Sequence, residues 1–261
     1  MPPPSPPPSS AGEVVAALRA AGCVFAEDEA ALLLAGADDP TGLAGALARR
    51  VAGEPLEHVL GWAQFHGLRI QVGPGVFVPR RRTEALAGEA IARTAPGSVV
   101  VDLCCGSGAV GAAVAAAVPG IELHAADVDP AAVGWARRNL PGGHVHTGDL
   151  FAALPAGLRG RIGVLVANAP YVPTTAIALM PPEARDHEPA VALDGGDDGL
   201  AVLRRVIAGA PQWLAPGGAV LFETGKSQVA AATEAVRAAG LTPVVVEDAD
   251  RGATVVVGTR D

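Results

Sequence analysis

The residues with the clearest chemistry are the consecutive Asn168, Ala169, Pro170 and Tyr171. They follow the apolar run Ile162–Ala167, which has the length and composition of a buried parallel strand. The side-chain oxygen of Asn168 and the backbone carbonyl of Ala169 can each accept one N–H of a planar amino group. The ring of Tyr171 can stack on that group. The tetrapeptide is therefore a candidate for gripping a flat NH2 group, although an ordinary strand-to-loop turn would use the same residue types.

A second motif precedes the tetrapeptide. The apolar run Val99–Val101 ends at Asp102, a loop of small residues follows, and a helix begins after it. Such a loop lets a ligand lie against the backbone, and the amino end of the helix offers free N–H groups. Alone the pattern is weak, because any tight strand-to-helix turn favours glycine. The loop residues are Cys104, Cys105, Gly106, Ser107 and Gly108.

Acidic residues end three successive predicted strands. Ile121–Ala126 is followed by Asp127, and His144–Thr147 leads to Asp149, in addition to Asp102. The carboxyl ends of parallel strands share one edge of a sheet, and ligands bind at that edge. Asp127 also lies about 20 residues beyond the loop, which is the position of the ribose-binding acid in dinucleotide-binding folds. Each acid could instead cap a helix. The three together favour a nucleoside ligand.

The type of nucleoside follows from what the loop lacks. No lysine of the phosphate-binding type follows it, and its spacing differs from the dinucleotide pattern Gly-x-Gly-x-x-Gly. Acids near the loop suit a ligand without phosphates and with a positive centre. S-adenosylmethionine fits this requirement, because its sulfonium is cationic and its ribose needs hydrogen-bond acceptors.

Composition limits the function classes. The chain has 261 residues and a net charge of −8, which argues against broad, sequence-independent binding of nucleic acid. The three cysteines, two of them adjacent, form neither a disulfide framework nor a zinc-binding pattern. No apolar run reaches the length of a membrane span. We expect a cytoplasmic monomer that does not bind membranes.

Four segments are predicted along the chain. Residues 1–10, rich in proline and serine, are expected to form a disordered tail without the features of a secretory signal. Residues 11–60 have helical spacing over Glu13–Ala21, Glu27–Ala35 and Thr41–Ala52 and are expected to form a helical substrate-recognition domain. Residues 61–82 alternate about Gly67 as a β-hairpin linker, which Val76–Pro79 extends.

The fourth segment, residues 83–261, is predicted to be an α/β domain with a seven-stranded, Rossmann-like class I methyltransferase sheet. Its strands fall near Val99, Ile121, Val145, Val164, Val220, Val244 and Val255. We expect helices to alternate with the first five strands. The last two strands are joined by a short polar loop and should pair antiparallel.

Several blocks in order resemble one family, the protein-(glutamine-N5) methyltransferases of the HemK/PrmC type, which modify class I peptide-chain release factors. The resemblance runs from about Gly53 to the carboxyl terminus. The tetrapeptide Asn168–Tyr171 sits where that family has Asn-Pro-Pro-Tyr. The other similar blocks are Gly53–Leu56, Phe65–Leu68, Val78–Arg80 with Thr83 and Glu84, Asp102–Gly108, His187–Leu193 and Gly195–Leu200.

The resemblance implies roles for the residues already singled out. Residues 102–108 would hold the methionine end of S-adenosylmethionine, Asp127 would bind the ribose hydroxyls, and Asp149 and Leu150 would flank the adenine. Asn168, which also borders the cofactor, and the Ala169 carbonyl would hold the substrate amide. The implied reaction is methyl transfer to the side-chain amide nitrogen of a glutamine, and the implied partner is a protein with an exposed glutamine, a release factor or a related protein.

Three departures from the family pattern matter, and the last of them, together with the short amino-terminal part, predicts a divergent branch. Ala169 replaces the first proline of the tetrapeptide, which keeps the carbonyl acceptor and loses the fixed φ of proline. Cys104 occupies a glycine position of the cofactor loop. Arg81 and Arg82 replace a Pro-Asp or Pro-Glu pair and add two positive charges.

Two alternatives remain from the residues. A nucleic-acid adenine or cytosine amino-methyltransferase would use the same tetrapeptide, because a flipped base also presents an NH2 on a planar ring. A protein that binds the cofactor without catalysis is the other. Among nearby acids, Glu188 is expected to shape a loop, and Glu223, after a buried strand, is expected to contact no substrate.

Overall fold

The structure is a computed structural model that describes residues 10–261. The tail predicted for residues 1–10 lies outside this part of the chain except for Ser10, whose hydroxyl accepts a hydrogen bond from the Glu13 N–H and caps the first helix. The elements in chain order are α1 Ala11–Ala20, α2 Ala26–Gly36, α3 Pro40–Val51, α4 Leu56–Leu60, β1 Trp62–Phe65, β2 Leu68–Gln71, α5 Glu84–Arg93, β3 Val99–Leu103, α6 Ala109–Ala117, β4 Glu122–Asp127, α7 Pro130–Asn139, β5 His144–Thr147, β6 Ile162–Ala167, α8 Pro182–His187, α9 Ala201–Gly209, β7 Leu214–Glu223, α10 Val229–Ala238, β8 Thr242–Asp248 and β9 Ala253–Thr259.

The first four helices enclose an apolar core of their own. Asp39 caps α3, and Pro40 at its first position has a φ already suited to a helix. The core residues are Val14, Leu18, Ala26, Ala30, Leu33, Leu43 and Leu47. The three predicted helices are therefore present, while the predicted domain boundaries at residues 60 and 82 stay predictions.

One buried ion pair network links this helical part to the rest of the chain. The side chain of Arg50 on α3 is only 5% exposed. Its Nε lies 2.6 Å from Glu29 on α2, and its Nη1 lies 2.7 Å from Glu183 on α8. Burial of one guanidinium between two carboxylates ties three helices together.

The predicted hairpin about Gly67 is present, with Phe65 paired to Leu68. His66 and Gly67 both have positive φ, 48° and 80°, as a two-residue turn of the primed type requires. The predicted extension by Val76–Pro79 is wrong, because no strand forms there. Pro79 cannot donate to a ladder, and the Val78 N–H donates instead to the side chain of Glu188.

The large sheet has the strand order β5-β4-β3-β6-β7-β9-β8. Its first five strands are parallel and β9 runs antiparallel to both neighbours, so the predicted seven-stranded sheet with a final hairpin is confirmed. The chain leaves β3 in one direction and returns at β6 on its other side. The carboxyl ends of β3 and β6 therefore flank the point where the strand order reverses, which is where open α/β sheets bind ligands.

The expectation of a helix between each of the first five strands is wrong for β5 and β6. Only two 3-10 turns, Leu150–Ala153 and Ala156–Leu158, connect them. Pro155 removes a backbone donor there, and Gly157 and Gly160 weaken helical propensity.

Among residues 10–261, no helix has both the length and the apolarity needed to cross a bilayer.

Two glycine substitutions away from the carboxyl edge of the sheet test the packing of β6 against β7. A Cβ at Gly218 in β7 would lie 2.5 Å from the Ile162 carbonyl oxygen, whereas a Cβ at Gly134 in α7 would meet nothing within 4 Å. We expect Gly218→Ala to lower the free energy of unfolding by about 1–3 kcal/mol through backbone overlap. Gly134→Ala should raise it by about 1 kcal/mol, because alanine favours helix. Urea denaturation measures both, and equal effects would contradict the packing of β6 against β7.

Candidate active site

A cavity of about 700 Å3 opens at the carboxyl edge of the sheet, a size suited to a small-molecule ligand. Apart from Gly108, every predicted site residue lines it. These residues are Asp102, Cys104, Cys105, Gly106, Ser107, Asp127, Asp149, Leu150, Asn168, Ala169, Pro170 and Tyr171. The predicted residues therefore share one cavity, while their binding roles stay predictions.

Gly108 has a different place in the loop. It precedes α6 with φ 78°, and a Cβ there would lie 3.0 Å from the Leu140 side chain and 3.3 Å from the Ala136 backbone. It therefore lets α6 pack closely on α7. Gly106, at φ 53°, has no atom within 4 Å of its would-be Cβ. Cys104 has φ 54°, a conformation that costs a residue with a Cβ about 1–2 kcal/mol, which explains why glycine is expected there.

Asp127 fixes the shape of the loop. Its Oδ2 accepts a hydrogen bond from the Gly106 N–H and its Oδ1 accepts one from the Asp129 N–H, both at 2.9 Å. Burial raises the pKa of this carboxyl, and the two donors oppose that effect. The remaining lone pairs of the same oxygens are the acceptors that a ribose would need.

Asp102 is the most deeply buried acid of the cavity, with 1% of its surface exposed. Its Oδ2 accepts a hydrogen bond of 2.9 Å from the Gly111 N–H in α6. Burial raises the pKa of Asp102 to about 7, and the neighbouring Asp127 contributes in the same direction. A bound cation near these two acids would favour the ionised form of Asp102.

The amide of Asn168 has an acceptor without a partner. Its Oδ1 is buried and accepts no hydrogen bond from any residue of the described part of the chain. Leaving a buried acceptor unpaired costs about 1–3 kcal/mol, so such groups occur where a ligand supplies the missing donor. Asn168 directly follows β6 and lines the cavity.

Tyr171 is held at both of its ends. Its hydroxyl donates to Oε1 of Glu223 at 2.9 Å, and its carbonyl accepts from Nε2 of Gln228 at 2.9 Å. Burial and the Glu223 carboxylate raise the pKa of the phenol, which therefore stays neutral. Sequence reasoning missed Gln228, a glutamine at the start of α10 with no periodic signal.

Two glutamates support the site from behind. Glu223, at the end of β7, is fully buried and does not line the cavity. The carboxylate of Glu188 accepts from the Val78 N–H at 3.0 Å and from Arg80 Nη2 at 2.6 Å, so this residue shapes the loop before α5 as expected. Burial raises the pKa of Glu188, while Arg80 acts against that shift.

The far end of the cavity combines an ion pair with an apolar wall. Arg205 on α9 lies 2.5 Å from Asp149, and both side chains are more than half exposed. Leu150 follows with φ 48° and turns its side chain into the protein, where 9% remains exposed. An acid beside an aliphatic wall suits a heterocycle that has exocyclic N–H donors.

Comparisons with known proteins agree with this geometry. Residues 68–180 match the family described as Methyltransferase small domain. A release factor glutamine methyltransferase of Mycolicibacterium smegmatis is 40% identical over 215 residues, 80% of this chain and 76% of that protein. The corresponding protein of Streptomyces coelicolor is 45% identical over 188 residues, 70% of this chain and 66% of the relative. The chain thus spans about two thirds of the length of that relative. A crystal structure of a methyltransferase from Pyrococcus furiosus has a TM-score of 0.56 at 17% identity, covers 82% of this chain and 96% of the other, and shows the fold alone.

The buried Asp102 makes the stability of the ligand-free protein depend on pH. Its pKa is about 7 in the folded protein and near 3.8 in the unfolded chain, so its stabilising contribution is complete below pH 4 and is lost as pH rises through 7. Asp102→Asn keeps an acceptor for the Gly111 N–H and cannot titrate. We expect the wild type to lose stability relative to this variant between pH 4 and pH 7, by at most about 1.4 kcal/mol per pH unit. Denaturant unfolding at each pH measures this difference, and parallel pH profiles would contradict it.

Proposed function

Because this chain belongs to the release factor glutamine methyltransferase family, we propose that it transfers a methyl group from S-adenosylmethionine to the side-chain amide nitrogen of a glutamine in a peptide-chain release factor. The observation that carries the proposal is the buried, unpaired Oδ1 of Asn168 beside the cavity. A primary carboxamide is the group that would complete this acceptor while presenting its nitrogen for attack.

The cavity fits the proposed cofactor. The acids Asp102 and Asp127 offer acceptors and negative charge for ribose hydroxyls and a cationic centre. Gly106 leaves open space where any side chain would project, so a ligand can approach its backbone. Asp149 and Leu150 would flank the adenine. When bound, S-adenosylmethionine supplies an electrophilic methyl carbon on its sulfonium.

The chain's own residues address the weak nucleophilicity of an amide. Its nitrogen lone pair is delocalised into the carbonyl. Oδ1 of Asn168 and the Ala169 carbonyl would accept the two amide hydrogens and stabilise the positive charge that develops on nitrogen. Tyr171, fixed by Glu223 and Gln228, would pack against the plane of the amide. No general base is needed before attack, because the proton can leave after the transfer.

Positioning of the reacting atoms would supply the rest of the rate enhancement. Atoms that react must be held about 3–3.5 Å apart, and a well-oriented pair gains much of the barrier reduction from this alone. The acceptors sit at the end of β6, next to the end of β3, so the sheet itself fixes the distance between amide and cofactor loop. Ala169, 1% exposed, is held by packing even though it lacks the fixed φ of proline.

The first test is transfer of label from methyl-tritiated S-adenosylmethionine. We expect label on a release factor, none on the same protein with its accepting glutamine changed to glutamate, and none on DNA. Label on DNA alone would support the amino-methyltransferase of nucleic acids. Cofactor binding in a calorimeter without label on any substrate would support a binding protein.

Asn168→Ala tests the acceptor directly. The variant loses one of two amide acceptors, so we expect transfer to fall by about 100-fold or more, while the dissociation constant of S-adenosylmethionine stays within about threefold of wild type. Single-turnover labelling and calorimetry measure the two quantities. Full transfer activity in this variant would contradict the proposed mechanism.

A further inference from the structure

Two arginines at the cavity share an unusual arrangement. Arg80 and Arg82 both line it, and each side chain is 36% exposed. Each is paired with a glutamate whose side chain is completely buried, Glu188 for Arg80 and Glu223 for Arg82. A buried carboxylate behind a half-exposed guanidinium fixes the position of the guanidinium and leaves part of it at the cavity.

Arg82 is held on one edge and one face. Its Nε lies 2.5 Å from Oε1 of Glu223, in an ion pair whose angle is not that of a hydrogen bond. Its Cζ lies 5.6 Å from the ring centre of Tyr171. Glu223 also accepts from the hydroxyl of Thr83 at 2.8 Å and from that of Tyr171. Within residues 10–261 nothing accepts a hydrogen bond from either Nη atom of Arg82, so those donors remain free.

Arg80 repeats the arrangement with other partners. Its Nη2 donates to Oε2 of Glu188 at 2.6 Å, and its Cζ lies 4.7 Å from the ring centre of Phe77. Its Nε and Nη1 donate to none of the residues that the structure describes. The two side chains thus present N–H groups in fixed directions, and little conformational entropy is left to lose when a ligand binds them.

We propose that Arg80 and Arg82 bind main-chain carbonyl oxygens of the polypeptide on either side of the methylated glutamine. This inference rests on the proposed function and names the groups that hold its substrate. Glu188 and Glu223 already compensate the charge of both guanidiniums, so the pair offers directed donors rather than net positive charge. That suits neutral carbonyl oxygens, which are the acceptors a polypeptide always carries.

The position of the pair assigns it to the substrate rather than to the cofactor. Arg82 lies over Tyr171, the last residue of the acceptor tetrapeptide, and Arg80 contacts Phe77 and Glu188. Neither arginine contacts the loop at residues 104–108 through a hydrogen bond or ion pair. The acids Asp102 and Asp127 mark the cofactor end of the cavity, so the two ends differ in the donors and acceptors they offer.

The test compares Arg80→Lys and Arg82→Lys with Arg81→Lys. Lysine keeps the positive charge opposite the buried glutamate and loses the planar guanidinium with its fixed N–H donors. Arg81 is exposed and does not line the cavity, so Arg81→Lys serves as the matched control. Calorimetry with a glutamine-containing peptide is done on enzyme saturated with S-adenosylhomocysteine. We expect each of the first two variants to bind peptide about tenfold more weakly, the loss of one good hydrogen bond, with the control unchanged.

Further measurements test whether the two variants affect only peptide binding, and leave cofactor binding and the rate of methyl transfer unchanged. The dissociation constant of S-adenosylhomocysteine should not change, and kcat at saturating peptide should stay within about twofold of wild type while KM rises. Weaker cofactor binding with unchanged peptide binding would overturn the proposal. A penalty seen with Nα-acetylglutamine but absent with its methylamide would also overturn it, because the pair would then recognise a carboxylate.

A double variant controls for misfolding. Failure of this inference can also be told apart from failure of the proposed function. The double variant Arg82→Met with Glu223→Gln removes both charges, so it leaves no buried charge unpaired, and it should still bind peptide weakly while binding S-adenosylhomocysteine normally. Wild-type peptide affinity in that folded variant would refute the inference. If wild-type enzyme transfers no methyl group to any glutamine, the proposed function fails, whereas the binding comparison still decides the role of the arginines.

Discussion

The pairing of β3 with β6 is the constraint on which the site depends. Leu103 is in register with Ala167, so Cys104 and Asn168 are the first residues beyond the sheet on adjacent parallel strands. Strands that pair in this way lie about 4.8 Å apart. The loop proposed for the cofactor and the acceptor proposed for the amide are therefore held side by side by main-chain hydrogen bonds, before any side chain contributes.

Much of this arrangement was predictable, because its signals are local. Apolar runs that end in Asp102, Asp127 or Asn168 indicate buried strands with polar ends, and the short polar loop between the last two strands predicts their antiparallel pairing. The order of the other strands was not predicted. One of the wrong predictions also has a physical cause, which is a contact between segments distant in sequence. Val76–Pro79 alternates like a strand, yet its backbone donor is taken by Glu188, which is 110 residues away from Val78 in sequence. Side-chain bonds across such separations leave no trace in periodicity.

The partners of the supporting residues were hidden for that reason, although the sequence predicts that Glu188 shapes a loop. Glu223, Gln228 and Glu188 contact the site through hydrogen bonds to residues distant in sequence, and an isolated acid or amide after a strand has several ordinary uses. What distinguishes them is complete or nearly complete burial together with partners from distant segments. A buried carboxylate is stable only when it is paired and hydrogen-bonded, so each one specifies the position of everything around it. In this protein those specified neighbours are Tyr171 and the two arginines.

The salt link at Arg50 has a mechanical meaning. Its guanidinium joins the second and third helices to the short helix Pro182–His187, which ends directly before Glu188. A tilt of the amino-terminal helices away from that short helix would break only the pair with Glu183, whose side chain is 48% exposed, while Arg50 keeps its pair with Glu29. Losing a pair with one exposed partner costs about 1 kcal/mol or less. The outer helices are therefore linked to the segment beside Glu188 by a contact that can break and re-form without leaving Arg50 unpaired.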